Sequence, residues 1–264
     1  MNDLLGAVWR SGYSHMFLNI GLGFVRLLAL VSVAPFLGGR WVPVTARVVV
    51  AMALALACFP VLGATNIPVV TKAVVALLIL KETIVGLAIG FAMALVFRAA
   101  EAAGDLIEAG RGMSMSEILN PVTREPSSPL GTMYGLLCVA VLFLTGGHLA
   151  AIEAIAGSFR IVPVTSLPTV SADMLFHRLL VMSASLLVLA AALAGPVLLA
   201  VVLADLAMGL VSRAAPELNA YFVALPLKAV FGLLVVTAGA ALALNILHAR
   251  IAAFIAFAAH LFNT

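Results

Sequence analysis

Charge is the scarcest property of this 264-residue chain. Asp, Glu, Lys and Arg make up 9% of its residues, against about 25% in soluble globular domains. Hydrophobic residues make up 64%, and no polar stretch is longer than the one around residues 98–131. There is no room for a separate soluble domain, so the function must lie in or at a membrane. The 14 Lys and Arg residues are scattered rather than clustered, which argues against a nucleic-acid ligand.

Cysteine is rare, and the short motifs of common enzyme chemistry are absent. Cys58 and Cys138 lie in separate apolar runs without a CxxC spacing, which favours packed thiols over a disulfide or a metal site. The sequence contains no GxxxxGK[ST], HExxH, GxSxG or GxGxxG, so the phosphate-loop, zinc-protease, serine-hydrolase and dinucleotide templates all fail. We therefore predict no catalytic residues, no metal ligands and no cofactor; the chain is not expected to be an enzyme.

What the sequence does have is long apolar runs, which predict an all-α membrane protein made of long broken helices and helical hairpins. The predicted helices cover about 16–37, 45–62, 67–110, 129–144, 171–213 and 227–261. At about 1.5 Å per residue, the last two exceed a bilayer core of about 30 Å, so they must tilt, break or protrude. Gly195-Pro196 predicts a kink in the first of them. We divide the chain into an N-terminal helical part, 1–165, and a C-terminal two-helix hairpin, 166–264, with a loop at 214–227.

A few charged residues interrupt the apolar runs. Arg26 lies within the first run, where an arginine costs at least about 2.5 kcal/mol on insertion scales, so it should face a bundle interior or a wet cavity. A structural pairing and a functional role are both open for it. Lys81 and Glu82 are adjacent and point about 100° apart on a helix, so we expect that they cannot pair with each other. Asp205 is expected to be buried in its helix. These charges should contact other helices or other subunits.

The polar stretch from Phe97 to Gly131, FRAAEAAGDLIEAGRGMSMSEILNPVTREPSSPLG, begins as a helix with an acidic face. Glu101, Asp105 and Glu108 are spaced to share that face. Like charges four residues apart repel, and Arg98 and Arg111, each three residues from an acid, offset part of the repulsion.

Beyond this helix the stretch predicts a flexible loop. Gly110 and Gly112 should end the helix, and Met113 and Met115 offer deformable apolar side chains of the kind found on surfaces that accept many shapes. Ser128 and Pro129 predict the cap and the first residue of the next helix. An ordinary extramembrane or re-entrant loop is the alternative interpretation.

Nearly the whole chain resembles the FliR/SctT family, an export-gate subunit of type III secretion systems. The most specific segments are RGMSMSEILNP with SSPLG, and SRAAPELNAYFVALPLK; PFLGGRWVPVTARVVV, KETIVGLAIGF and LFLTGGHLAAIEAIAGSFRIVPV also match. SSPLG and the later PLK resemble the injectisome branch more than the flagellar one. The resemblance implies a multi-pass protein of the bacterial inner membrane through which unfolded polypeptides are exported.

The resemblance also implies partners. One copy of the chain would join multiple copies of two smaller inner-membrane export-gate proteins in a pore surrounded by lipid, and the loop at 214–227 would meet a switch protein on the cytoplasmic side.

Site residues follow from the same resemblance. A loop over about 110–128 would plug the pore, and its expected gating residues are Gly110, Arg111, Gly112, Met113 and Met115. Expected subunit contacts are Arg26, Lys81, Glu82, Arg98, Glu101, Asp105, Asp205 and Lys228.

Three other interpretations remain. The chain could be the flagellar homologue, or a stand-alone secondary transporter with Arg26 and Asp205 forming a substrate or proton site near Gly195-Pro196. It could also be a scaffold whose polar loop only nucleates assembly.

Overall fold

The computed structural model describes residues 13–39, 42–62, 72–112, 128–166, 172–215 and 220–261. The regular secondary structure of these residues is helical throughout. The helices are α1 (Tyr13–Val33), α2 (Pro35–Gly38), α3 (Val44–Ala57), α4 (Phe59–Leu62), α5 (Lys72–Gly110), α6 (Pro129–Leu144), α7 (Gly147–Ile161), α8 (Ala172–Ala214), α9 (Ala220–Ala238) and α10 (Ala240–His260).

The helices are long and apolar enough for a multi-pass membrane protein. In the described part of the chain, four of them qualify as membrane spans by length and composition: α1, α5, α8 and α10. The pair α6 and α7, separated by Thr145 and Gly146, qualifies together as a fifth, broken span. The predicted all-α membrane fold is therefore confirmed.

The predicted helices 16–37 and 45–62 are each interrupted, at Ala34 and at Cys58. Two further predicted helix boundaries, in the C-terminal part, are wrong, and proline accounts for one of them. We expected the loop at 214–227 to last through Pro226, but α9 already begins at Ala220 and contains that proline. Proline lacks the N–H that would bind the carbonyl four residues earlier, so it removes one helical hydrogen bond without having to end the helix. The second error lies at Gly239, where the predicted single helix divides into α9 and α10. By contrast, α8 continues through Pro196, and the kink predicted there stays a prediction.

The described residues form two compact units that interleave along the sequence. The first comprises those up to Ala94, those of Gly147–Met182 and those from Ala253 onwards. The second comprises those of Leu95–Gly146 and Ser183–Ala252. The long helices α5 and α8 each contribute residues to both units. The division at residue 165 that the sequence suggested is a different partition and stays a prediction.

Two glycines set the packing of α5 on α1 in the first unit. A Cβ atom added at Gly86 would overlap the backbone oxygen of Arg26, and one added at Gly90 would lie 2.8 Å from the backbone oxygen of Leu30. Small residues four apart let two helix backbones approach closely, which is a common arrangement between membrane helices. This approach brings Arg26 beside the α5 charges.

A buried charge network ties α1, α5 and the end of α7 together. Arg26 binds Glu82 through two hydrogen bonds, Nε to Oε2 at 2.5 Å and Nη2 to Oε1 at 3.0 Å. Its guanidinium also donates to the backbone oxygens of Ser158, at 3.1 Å, and Val162, at 2.7 Å. The ring of Phe159 lies 4.3 Å from the guanidinium carbon. Both Arg26 and Glu82 are fully buried, so this set of partners offsets their desolvation.

Lys81 completes the network. Its Nζ lies 2.5 Å from Glu82 Oε1 and donates to the backbone oxygens of Pro163, Val164 and Ser166 at 2.9 to 3.0 Å. The expectation that Lys81 and Glu82 cannot pair is wrong. A lysine side chain has four flexible methylene groups, and Glu82 is held by Arg26 where that chain can reach it.

The network predicts that two ion pairs of the chain contribute very different amounts to its stability. Glu82→Ala leaves the two buried cations without their carboxylate, and breaking such a pair costs about 3–5 kcal/mol. We expect a clearly lower thermal midpoint of unfolding for the detergent-purified protein or its complex. Size-exclusion chromatography of heated samples measures this midpoint. Arg98→Ala is the control: it removes a half-exposed partner of Glu101, and such surface pairs contribute at most about 1 kcal/mol. Equal shifts in the two variants would contradict the role given to the network.

Candidate functional site: the base of the predicted plug loop

The predicted plug loop leaves α5 at Gly110, Arg111 and Gly112. Arg111 N–H still donates to the oxygen of Ile107 at 3.0 Å, and Gly112 N–H donates to that of Ala109 at 3.0 Å. Gly112 then has φ 76°, a left-handed conformation that glycine adopts without steric cost and that commonly ends a helix. The predicted end of the helix is thus confirmed. Met113, Met115 and the other residues as far as 127 lie outside the described residues.

The acidic face of α5 binds the start of α6, where the chain re-enters the described structure. Asp105 Oδ1 accepts hydrogen bonds from the N–H of Ser128, at 3.0 Å, and from its hydroxyl, at 2.7 Å. Glu108 Oε2 accepts one from Leu130 N–H at 3.0 Å. The Ser128 hydroxyl in turn accepts from Gly131 N–H at 2.9 Å, the predicted N-cap. Carboxylates are favourable at a helix N-terminus because its free N–H groups and dipole present positive charge.

Glycines allow this approach of α5 and α6. A Cβ atom at Gly104 would lie 2.5 Å from the backbone N of Gly131 and from the backbone carbon and oxygen of Leu130. A Cβ atom at Gly131 would overlap Asp105 Oδ1. A side chain at Gly104 would therefore separate the two helices, and one at Gly131 would displace the Asp105 carboxylate. We call Gly104, Asp105, Glu108, Ser128 and Gly131 the loop clamp, since they hold together the two chain ends that bound residues 113–127.

Other predicted residues flank the loop clamp. Arg98 Nη1 donates to Glu101 Oε2 at 2.9 Å, as the spacing predicted. We predicted that Arg111 would pair with Glu108, three residues before it, and this prediction is wrong. Its Nη2 donates to the backbone oxygen of Ala229 in α9 at 2.6 Å. Because Glu108 already binds the α6 terminus, the acidic face is neutralised mainly by helix N–H groups rather than by arginines.

Asp205 and Lys228 form an ion pair between α8 and α9. The Asp205 side chain is 45% exposed and that of Lys228 is 18% exposed, so the expectation of a buried Asp205 is wrong. An aspartate in an apolar helix suggested burial because the sequence alone does not tell which face a neighbouring helix covers. The loop predicted at 214–227 is helical from Ala220 onwards.

All eight predicted subunit-contact residues have partners inside the chain. Arg26, Lys81 and Glu82 belong to the buried network of the first unit, whereas Arg98, Glu101, Asp105, Asp205 and Lys228 lie in the second. Arg26 and Asp205 are therefore each committed to a different ion pair, which removes the motivation for the transporter site. Whether any of the eight also touches another subunit stays a prediction.

Sequence reasoning missed the glycines that position these groups. Gly86 and Gly90 form a GxxxG pattern in an apolar helix, a recognisable signal for close helix packing. Gly104 and Gly131 carry no such local pattern, because each is matched by the other helix. The role of Glu108 was missed as well, because its partner at the start of α6 lies 22 residues further along the chain.

Comparison with known proteins agrees with the sequence pattern. The family described as "Bacterial export proteins, family 1" matches residues 17–254. Yop proteins translocation protein T of Yersinia pestis is 33% identical over 183 residues, which are 68% of this chain and 69% of that protein.

Two further relatives cover more of the chain. Surface presentation of antigens protein SpaR of Shigella flexneri is 29% identical over 223 residues, 84% of this chain and 85% of that protein. Flagellar biosynthetic protein FliR of Bacillus subtilis is 27% identical over 208 residues, 78% of this chain and 80% of that protein. The predicted FliR/SctT resemblance is thereby confirmed, and because the family match spans most of the sequence, the chain belongs to the bacterial export proteins, family 1.

Proposed function

We propose that this chain is a subunit of a type III secretion export apparatus in the bacterial inner membrane. Family membership and the names of its relatives carry the proposal: Yop proteins translocation protein T, SpaR and FliR are named for translocation, surface presentation and flagellar biosynthesis. The chain contributes structure and gating rather than a catalytic step. Its cargo is unfolded polypeptide, which passes through the pore that the apparatus encloses.

An injectisome is favoured over a flagellum. Yop proteins translocation protein T is 33% identical to this chain, whereas the FliR proteins of Bacillus subtilis and Escherichia coli are 27% and 29% identical. SSPLG and PLK favour the same branch. The flagellar subunit is the second candidate, because the FliR relatives align over about four-fifths of the chain.

Exposed apolar surface supports assembly with other subunits. Along α8, the side chains of Leu199, Leu203, Leu206 and Leu210 are each more than half exposed. Such a face must contact lipid or other apolar helices. We propose that multiple copies of two smaller inner-membrane proteins cover part of this surface, and that the α8–α9 connection faces a cytoplasmic switch protein.

The loop clamp supports a plug between α5 and α6. A plug needs a fixed base and a deformable tip: the base keeps the tip over the pore, and the tip must yield to the cargo. The clamp supplies a base through carboxylate–amide hydrogen bonds and glycine contacts. Met113 and Met115 would supply unbranched apolar side chains that seal against many shapes. The left-handed Gly112 then provides the hinge next to the base.

Removing the start of the loop tests the plug directly. We expect deletion of Gly110–Met115, in cells that contain the whole apparatus, to make the inner membrane leak ions while the complex still assembles. Secretion assayed in parallel shows whether the passage itself remains. Native gels of the detergent-extracted complex serve as the assembly control. A membrane that stays impermeable to ions, with normal secretion, would contradict the proposed plug and would leave these residues as an ordinary connecting loop.

The loop clamp makes a separate prediction about stability. Gly104→Ala places a methyl group against the α6 backbone, so we expect a lower thermal midpoint of the purified complex. Gly209→Ala is the matched control, because it lies within α8 with nothing within 4 Å of the added Cβ. Alanine is favoured over glycine in a helix by about 1 kcal/mol, so the control should be neutral or slightly stabilised. If Gly104→Ala behaves like Gly209→Ala, α5 and α6 are not held together as described.

A further inference from the structure

Helix α10 exposes two polar side chains in the middle of a candidate membrane span. The span covers Ala240–Ala258, and Asn245 and His248 are both exposed on it. At about 1.5 Å per residue, His248 lies about 12 Å along the helix from Ala240, well inside a hydrocarbon core of about 30 Å. In the described part of the chain, neither side chain has a hydrogen-bond partner. Polar groups at that depth need a partner from outside the described residues.

The exposed face of α10 around these two residues is built of small side chains. Leu247 and Ile251, on the opposite side, are buried within the chain, and Arg250 is exposed on a third side. Residues three and four apart adjoin on a helix. Five exposed positions therefore form one face, which we call the α10 polar face: Ala241, Asn245, His248, Ala249 and Ala252.

The α10 polar face differs in chemistry from the exposed face of α8, which carries Leu199, Leu203, Leu206 and Leu210. Long aliphatic side chains match lipid tails, whereas unpaired Asn and His side chains lose their hydration in lipid without compensation. Between membrane helices, small residues let two backbones approach closely, and Asn and His side chains form hydrogen bonds from one helix to the other. The composition of the α10 polar face therefore fits a second helix better than it fits lipid.

We propose that the α10 polar face docks an apolar membrane helix of a different subunit of the apparatus. The alanines let the two backbones approach, and Asn245 and His248 pair with a hydroxyl, amide or carboxylate group on the partner helix. The partner helix thus carries small residues next to at least one hydrogen-bonding side chain. This proposal deepens the proposed function and rests on it, because a subunit of an assembled apparatus has such neighbours and a stand-alone protein does not.

Leucine substitutions give results of opposite sign for lipid and for a partner helix. In lipid, His248→Leu and Asn245→Leu remove an uncompensated polar group, which leaves assembly unchanged or improved. Against a partner helix they remove a hydrogen bond and leave the partner's polar group unpaired, so we expect association to be roughly two- to tenfold weaker. The fraction of the chain in the complex, on native gels over a detergent dilution series, measures this change. His248→Gln is the control, because it keeps a hydrogen-bonding side chain and should retain most of the assembly.

The close approach of the two helices is tested separately at Ala249. Ala249→Leu places a long side chain between them, so we expect the complex to dissociate at least as readily as with His248→Leu. Ala249→Ser stays small and should assemble like wild type. Immunoblots of isolated membranes establish that each variant chain is present. If a variant at Asn245 or His248 is missing from the membrane, the Ala249 pair decides: equal assembly of Ala249→Leu and Ala249→Ser would overturn the proposal.

A cysteine on the same face distinguishes a helix from water. Cys58 and Cys138 are buried, so the parent chain should react little with a sulfonated maleimide added to the assembled complex. We expect Ala249→Cys to stay unlabelled as well. Labelling of an assembled complex would mean that the α10 polar face lines an aqueous passage, and the docked helix would be ruled out.

Secretion assays separate failure of the docking face from failure of the proposed function. If removing the whole chain abolishes secretion but both leucine variants assemble normally or better, the chain is an export subunit whose α10 polar face meets lipid, and the docking proposal alone fails. If removing the whole chain leaves secretion intact, the proposed function fails and the docking proposal fails with it.

Discussion

The structure depends on one constraint: polar groups taken out of water must find their partners within the protein. Burying an unpaired charge or helix end in apolar surroundings costs several kcal/mol, and this chain has few charges with which to do the pairing. The carboxylate of Glu82 therefore serves two cations at once, and those cations also satisfy the backbone oxygens that follow α7. In the second unit Asp105 and Glu108 satisfy the first N–H groups of α6. In both units, buried charged side chains bind the free backbone groups at the end of a helix.

Two buried arginines meet that constraint to different degrees. Arg26 has a full set of acceptors, which makes its position a fixed part of the first unit. Arg111 is nearly as buried but has a single backbone acceptor among the described residues. The lost hydration of the Arg111 guanidinium is therefore less fully compensated than that of Arg26.

Much of the fold could be read from the sequence, and less of the site. Hydropathy and helix-ending residues located the end of α5 and the bounds of α6, since these depend on local chemistry: Gly112 has a positive φ, and Ser128 caps α6 with its own side chain. The partners of charges could not be read, because they depend on which helices meet. Lys81 and Arg26 bind the same Glu82 carboxylate, and Asp205 is about half exposed beside Lys228 of α9. Gly104 packs against the backbone of Leu130, and Gly232 packs against the side chain of Arg111. Neither contact can be predicted from the helix in which the glycine lies.

Holding the two ends of a loop together also lowers the cost of changing the length of the loop. Once Asp105 and Ser128 are joined, the cost of closing the intervening segment is largely met by the surrounding helices and rises only slowly with length, by about 0.6 kcal/mol for each doubling. The packing of α5 on α6 therefore does not by itself fix the length of the segment between Gly112 and Ser128. An inserted residue in that segment would alter the proposed plug while leaving the contacts of the loop clamp in place.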